Sequence, residues 1–131
     1  MIVPFSNTVG IKADTLDNHH DIQNHIGSIH AGAQFTFAET ASGVYLSSFF
    51  SDKEGEYVPL LREASVKYKK QALSTLSSEV SVENLEVEKF IENYKIKGFG
   101  VITAKVKLFD IDGDVTCVGS FKWFVQKFDQ P

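Results

Sequence analysis

Between Ile26 and Phe50 the chain reads IGSIHAGAQFTFAETASGVYLSSFF and carries a single formal charge, Glu39. A stretch this apolar has to lie inside protein, and a carboxylate within it is costly unless something holds it or uses it. The spacing predicts a helix from about Ala31 to Phe49. Ala33, Phe37, Thr40 and Val44 form one stripe, and Phe35, Ala38, Ser42 and Leu46 form another. A helix apolar on nearly all sides is enclosed by other elements. Small residues alternating with Phe suit a helix gripped closely by a sheet. Gly43 in its middle costs roughly 1 kcal/mol relative to Ala, which fits a neighbour packed against the backbone there. Gln34, Glu39, His30 and several Ser and Thr make the stretch too polar to span a membrane.

The rest of the chain must supply that enclosure. VPLLREASVKYKKQAL (58–73) reads as a strand, with Val66 and Tyr68 alternating against Lys67 and Lys69, and STLSSEVSV (74–82) continues as a second. ENLEVEKFIENYKIKG (83–98) spaces Leu85, Phe90, Ile91 and Tyr94 as a helix that Gly98 could close, with a strand from Tyr94 onward as the other reading. FGVITAKVKLFD puts Ile102, Ala104, Val106 and Leu108 on one face. VTCVGSFKWFVQKF answers with Val115, Cys117, Phe121, Trp123 and Val125, and the DIDGD between them carries the Asp-Gly signal of a hairpin. Residues 1–23 read as a short lead-in strand or turn followed by a loop, and Ser51–Tyr57 as a polar turn. The order predicts an α+β fold, an antiparallel sheet wrapped around one long helix.

With 131 residues and no linker or repeat, the chain is expected to form a single domain, 1–131. A formal net charge of −4 argues against a nucleic-acid binder. The lone Cys117 has no partner for an internal disulfide, and no basic-then-apolar leader opens the chain, so a soluble cytoplasmic protein with no membrane contact is expected.

The Asp110-Ile-Asp112-Gly-Asp114 cluster lacks the later ligands of a calcium loop and reads as a turn. His19, His20, His25 and His30 match no tight metal spacing, so neither a metal nor a cofactor is expected. Cys117 lies mid-strand on the core face, where a thiol is a packing residue rather than a nucleophile. Lys67, Lys69, Lys70, Lys95, Lys97, Lys105 and Lys107 fall mostly on outer strand faces, where some could meet a phosphate.

Glu39 remains. Either local hydrogen bonds or solvent satisfy it, or it takes part in chemistry. Asn24 and His30 lie just ahead of the helix, and the backbone N–H groups around Ala31 and Gly32 are unpaired at its start. A carboxylate, an amide side chain and a helix N-terminus acting as an oxyanion hole are the parts needed to hydrolyse an activated ester.

The segment NHIGSIHAGAQFTFAETASGVY resembles the motif of hotdog-fold acyl-CoA thioesterases of the phenylacetyl-CoA and Arthrobacter-type 4-hydroxybenzoyl-CoA class. Asn24, His30, Gly32, Glu39 and Gly43 fall at matching places, and Ala31 stands where the motif has its first Gly. GFGVITAKVKLFDIDGDVTCVGSFKWFV is similar to that family's final hairpin. The resemblance implies a sheet of five or six strands around the central helix, in a homodimer whose pairs can associate into a homotetramer. It implies a site at the dimer interface, with Glu39 of one subunit facing Asn24, His30 and Ala31 of the other. In that arrangement the thioester oxygen accepts from the Ala31 N–H, and Glu39 acts as general base on water or as nucleophile. Asn24 orients the water or the thioester, the CoA phosphates lie near lysines, and the acyl group enters a pocket lined by Phe. Two further functions stay in view: a non-catalytic hotdog module that binds acyl-CoA or a related ligand, and a hydratase of enoyl thioesters that borrows His30.

Overall fold

The computed structural model describes residues 3–53 and 56–128. The buried helix spans Ala31–Ser47, here α2, and runs on into a 3-10 segment, Ser48–Lys53. Its buried residues point in almost every direction around the axis: Ala33, Gln34, Phe37, Ala38, Ser42, Gly43 and Leu46. The enclosure expected from composition therefore exists over most of its length, although Val44 remains 53% exposed.

Two layers provide it. On one side lies an antiparallel sheet formed by β1 (Ile11–Lys12), β2 (Thr15–Leu16), β3 (Tyr57–Tyr68), β4 (Leu76–Ser81), β5 (Phe99–Phe109) and β6 (Val115–Lys127). The strand order is β1-β2-β4-β5-β6-β3. The inward positions of β5 and β6 alternate as the sequence requires: Ile102, Ala104, Val106 and Leu108 are buried, as are Cys117, Phe121, Trp123 and Val125. On another side lies α1, Pro4–Val9, whose Ser6 hydroxyl meets that of Thr40 at 3.2 Å. This curled sheet around one long helix is the hotdog fold.

Several expectations need correction. The N-terminal segment contains a helix where a strand or turn was expected. Six residues are too few for a periodicity, but Pro4 opens α1 and Gly10 ends it in the left-handed region, φ 91°, two recognisable boundary signals. The strand expected across 58–73 ends at Tyr68, because the N–H groups of Lys69 and Lys70 both turn to the carbonyl of Thr116. Of the polar turn expected at Ser51–Tyr57, residues 51–53 belong to the 3-10 segment, 54–55 lie outside the described residues, and β3 begins at Tyr57. The ambiguous segment after β4 is a helix, α3, Asn84–Lys97, closed by Gly98 at φ 78°. The Asp-Gly turn forms as expected: Asp110 Oδ1 accepts from the N–H groups of Asp112 and Asp114 at 3.0 Å, and Gly113 adopts φ 85°.

At the far edge of the sheet β3 has no strand partner on its outer side among the described residues, over 12 residues. Long open edges invite pairing with another chain.

Candidate active site

The site is built where the chain enters α2. Asn24 closes a tight turn: its backbone N–H donates to the Ser28 carbonyl at 2.8 Å, and Gly27 sits at φ 80°. The carboxamide braces the same turn, with Oδ1 accepting from the N–H groups of Ile26 and Ser28 and Nδ2 donating to the Ser28 hydroxyl at 2.7 Å. One Nδ2 proton is left for anything else. The turn is tied to the scaffold by Ile29 N–H to the Ala72 carbonyl and His30 N–H to the Ile22 carbonyl, both 2.8 Å.

His30 is the N-cap of α2. Its ring Nδ1 accepts from the Gly32 N–H at 2.8 Å, which requires a lone pair on Nδ1 and so places the proton of a neutral ring on Nε2. The N–H groups of Ala33 and Gln34 are taken by the His30 carbonyl. Among the first-turn amides only that of Ala31 has no acceptor among the described residues. It sits at the positive end of a 17-residue helix, where a negative oxygen is favoured.

Asn24 and Ala31 line one cavity of about 360 Å³, with Ser28, Gln34, Tyr68 and Lys69. The Tyr68 hydroxyl donates to the Ala31 carbonyl at 3.1 Å, which holds the end of β3 against the helix start. His30 borders a different cavity of about 340 Å³, with Phe5, Ile22 and Thr36. Glu39 lines neither of these. It lies eight residues beyond Ala31, about 12 Å along the axis.

Glu39 is half-buried, and its carboxylate has no hydrogen-bond or ion-pair partner among the described residues. Desolvation raises its pKa above the ordinary glutamate value. Its backbone carbonyl is held: Ser42 Oγ donates to it at 2.7 Å and in turn accepts from Trp123 Nε1 at 2.9 Å. The backbone is fixed while the carboxylate is left open.

Cys117 behaves as the sequence suggests, whereas Lys70 lies beyond the end of β3 and is held by an ion pair rather than set on a solvated strand face. Cys117 is fully buried, and burial pushes its thiol up to about 11. Lys70 is engaged by Asp110 at 2.9 Å and Asp114 at 2.7 Å, which makes the acidic cluster a clamp on the strand connection. Lys69, exposed at the cavity rim, has no ion pair among the described residues. Gln34, Tyr68 and Thr116 were not singled out from sequence. Gln34 had a signal, as a carboxamide inside an apolar helix, but nothing local shows that it faces a cavity.

Fold and site together define a hotdog protein with an open helix N-terminus and a helix carboxylate that is unpaired among the described residues. The chain belongs to the family described as a domain of unknown function, DUF4442, whose model matches residues 2–125. A search of curated proteins finds no match. Among solved structures, the chain is similar to a Pseudomonas aeruginosa protein of unknown function described as a probable thioesterase. That pair shares 17% identity and a TM-score of 0.75, covering 96% of this chain and 89% of the other. A Bacillus halodurans protein crystallised with CoA matches at 18% identity and TM-score 0.73, over 95% and 77%. A Haemophilus influenzae thioesterase matches at 14% identity and TM-score 0.71, over 96% and 85%. At these identities the likeness shows the fold.

Proposed function

We propose that this chain is an acyl-CoA thioesterase, hydrolysing a thioester to the free acid and CoA. The observation that carries the reading is Glu39, a half-buried carboxylate without a partner among the described residues, whose pKa is raised by desolvation. Such groups are suited to general-base work. The structures of a thioesterase and of a CoA-bound protein with the same fold support the substrate class.

Glu39 and the Ala31 N–H are too far apart on one helix to meet at one carbonyl, so the reading requires two copies of the chain. The open edge of β3 suits that pairing, and Tyr68 at its end touches the Ala31 carbonyl. Glu39 of one copy then faces Asn24 and Ala31 of the other. Glu39 takes a proton from water and the resulting hydroxide adds to the thioester carbon. The oxyanion is held by the Ala31 N–H, and collapse of the adduct expels the CoA thiolate. In the nucleophilic variant the carboxylate itself adds, CoA leaves, and water cleaves the mixed anhydride. His30 holds the Gly32 N–H and shapes the helix start, and Asn24 offers its remaining amide proton.

The test is thiol release from short, medium, long and aromatic acyl-CoAs by wild type and Glu39→Gln. The reading expects turnover that falls by about 100-fold or more in the variant. A folded wild type that releases no thiol, yet binds acyl-CoA, would make the protein a ligand-binding hotdog module instead.

A further inference from the structure

Gln34 is a carboxamide only 4% exposed, on the first full turn of α2. Its Oε1 accepts from the hydroxyl of Thr116, itself fully buried on β6, at 3.0 Å. That bond fixes which way the amide faces. The Thr116 hydroxyl gives its one proton to Gln34 Oε1, so the acceptor end of the amide faces β6. Nε2 is thereby left pointing away from β6. It has no acceptor among the described residues, yet no buried side-chain nitrogen or oxygen among them is stranded without a partner. Nε2 therefore keeps access to open space, and the cavity that Gln34 lines is the one shared with Asn24, Ala31, Tyr68 and Lys69.

Gln34 shares that cavity with the Ala31 end of the helix. Long helical side chains lean back over the turn that precedes them, and Ala31 lies three residues earlier on the same face. The other polar groups there are largely committed. The Tyr68 hydroxyl spends its proton on the Ala31 carbonyl, and Asn24 braces its own turn. Beside the spare Nδ2 proton of Asn24 and Lys69 at the rim, two residues lining this cavity carry an N–H with no acceptor among the described residues: Ala31 at its backbone and Gln34 at Nε2. Paired N–H donors without an acceptor suit a carbonyl oxygen, and more strongly one that gains negative charge.

Resting on the thioesterase reading, we infer that Gln34 is a substrate-binding residue that donates from Nε2 to the thioester carbonyl oxygen alongside the Ala31 N–H, with Thr116 as the positioning residue that keeps its amide turned toward the cavity.

The experiment measures binding rather than turnover. The probes are 2-oxoalkyl thioethers of CoA with short, medium and phenyl-bearing chains, in which a methylene separates sulfur from the carbonyl and no hydrolysis can occur. Free CoA, which has no carbonyl at that position, is the control. Gln34→Glu keeps an acceptor for Thr116 and replaces the inward donor by an acceptor. It should weaken the ketone probe by about 10-fold or more while leaving free CoA within about 2-fold. Thr116→Val, which removes the hydroxyl while keeping the shape, should weaken the ketone probe in the same selective way and serves if Gln34→Glu does not fold. Unchanged affinity for both ligands, equal weakening of both, or a wild type that does not bind the ketone probe would each overturn the assignment. Selective weakening together with no thiol release from any acyl-CoA by wild type would overturn the thioesterase reading and leave the Gln34 assignment standing.

Discussion

His30→Ala tests whether the residue at the mouth of α2 is architecture or chemistry. The ring Nδ1 accepts the Gly32 N–H at 2.8 Å and is the one side-chain cap on the helix. Removing an N-cap acceptor costs about 1 kcal/mol. Because His30 is exposed, water can reach the freed N–H and the loss should sit near that value rather than above it. An unfolding entropy of about 2.1 cal/mol/K per residue converts this, for a chain of this length, to a fall in Tm of about 4 °C. His30→Asn restores a side-chain acceptor and should recover most of that loss in a thermal melt followed by circular dichroism. Steady-state thiol release then separates the roles: a cap alone predicts that Asn restores activity with stability, whereas a substrate contact predicts restored stability and depressed kcat/KM. Equal Tm values for wild type and His30→Ala would refute the capping argument outright.

The remaining predictions concern groups whose environments are equally definite. The pKa of Glu39 is raised by desolvation, and a general base works only when ionised. The acidic limb of kcat/KM should therefore lie above the ordinary carboxylate range and disappear in Glu39→Gln. For stability, a raised native pKa means that the native state binds the proton more tightly than the unfolded state, so Glu39 weakens the fold as pH rises through that pKa. Glu39→Gln should melt higher than wild type at neutral pH, with the difference vanishing below the ordinary glutamate range; a lower melting temperature at pH 7 would contradict this. Ser42→Ala strands the buried indole N–H of Trp123 and should cost about 1–3 kcal/mol, read in urea by the fluorescence of the chain's one Trp. The hydrogen bond from Lys70 lowers the pKa of Asp110, whose stabilising effect is present above the ordinary aspartate value and lost as pH falls through the depressed one. Lys70→Met should move the midpoint of acid unfolding to higher pH, and an unmoved midpoint would show that the clamp is energetically idle.

Much of this protein is written in local pattern. The alternation across β5 and β6 and the Asp-Gly turn between them could each be read within about a dozen residues, because burial on one face of a strand repeats every second position, whereas the segment closed by Gly98 left helix and strand both open until the fold showed a helix. The charge-poor run around Glu39 likewise announced an enclosed helix. What local pattern could not hold was α1, too short to show a period, or the end of β3, decided by the Thr116 carbonyl some fifty residues further along.

The candidate site divides in the same way. Asn24, His30, Ala31 and Glu39 are legible because their spacing along one segment fixes which helix end and which turn each occupies. The tertiary structure decided which groups were already spoken for: Asn24 by its own turn, the Gly32 N–H by His30, Lys70 by two aspartates. It also decided which were left free, since Gln34 gains its orientation only from a hydroxyl 82 positions away. Sequence determines which chemistry a chain carries, because side-chain identity and helical spacing are local. Only the folded chain determines which donors and acceptors remain unpaired, because hydrogen bonding is saturable and the partners that consume it come from anywhere in the chain.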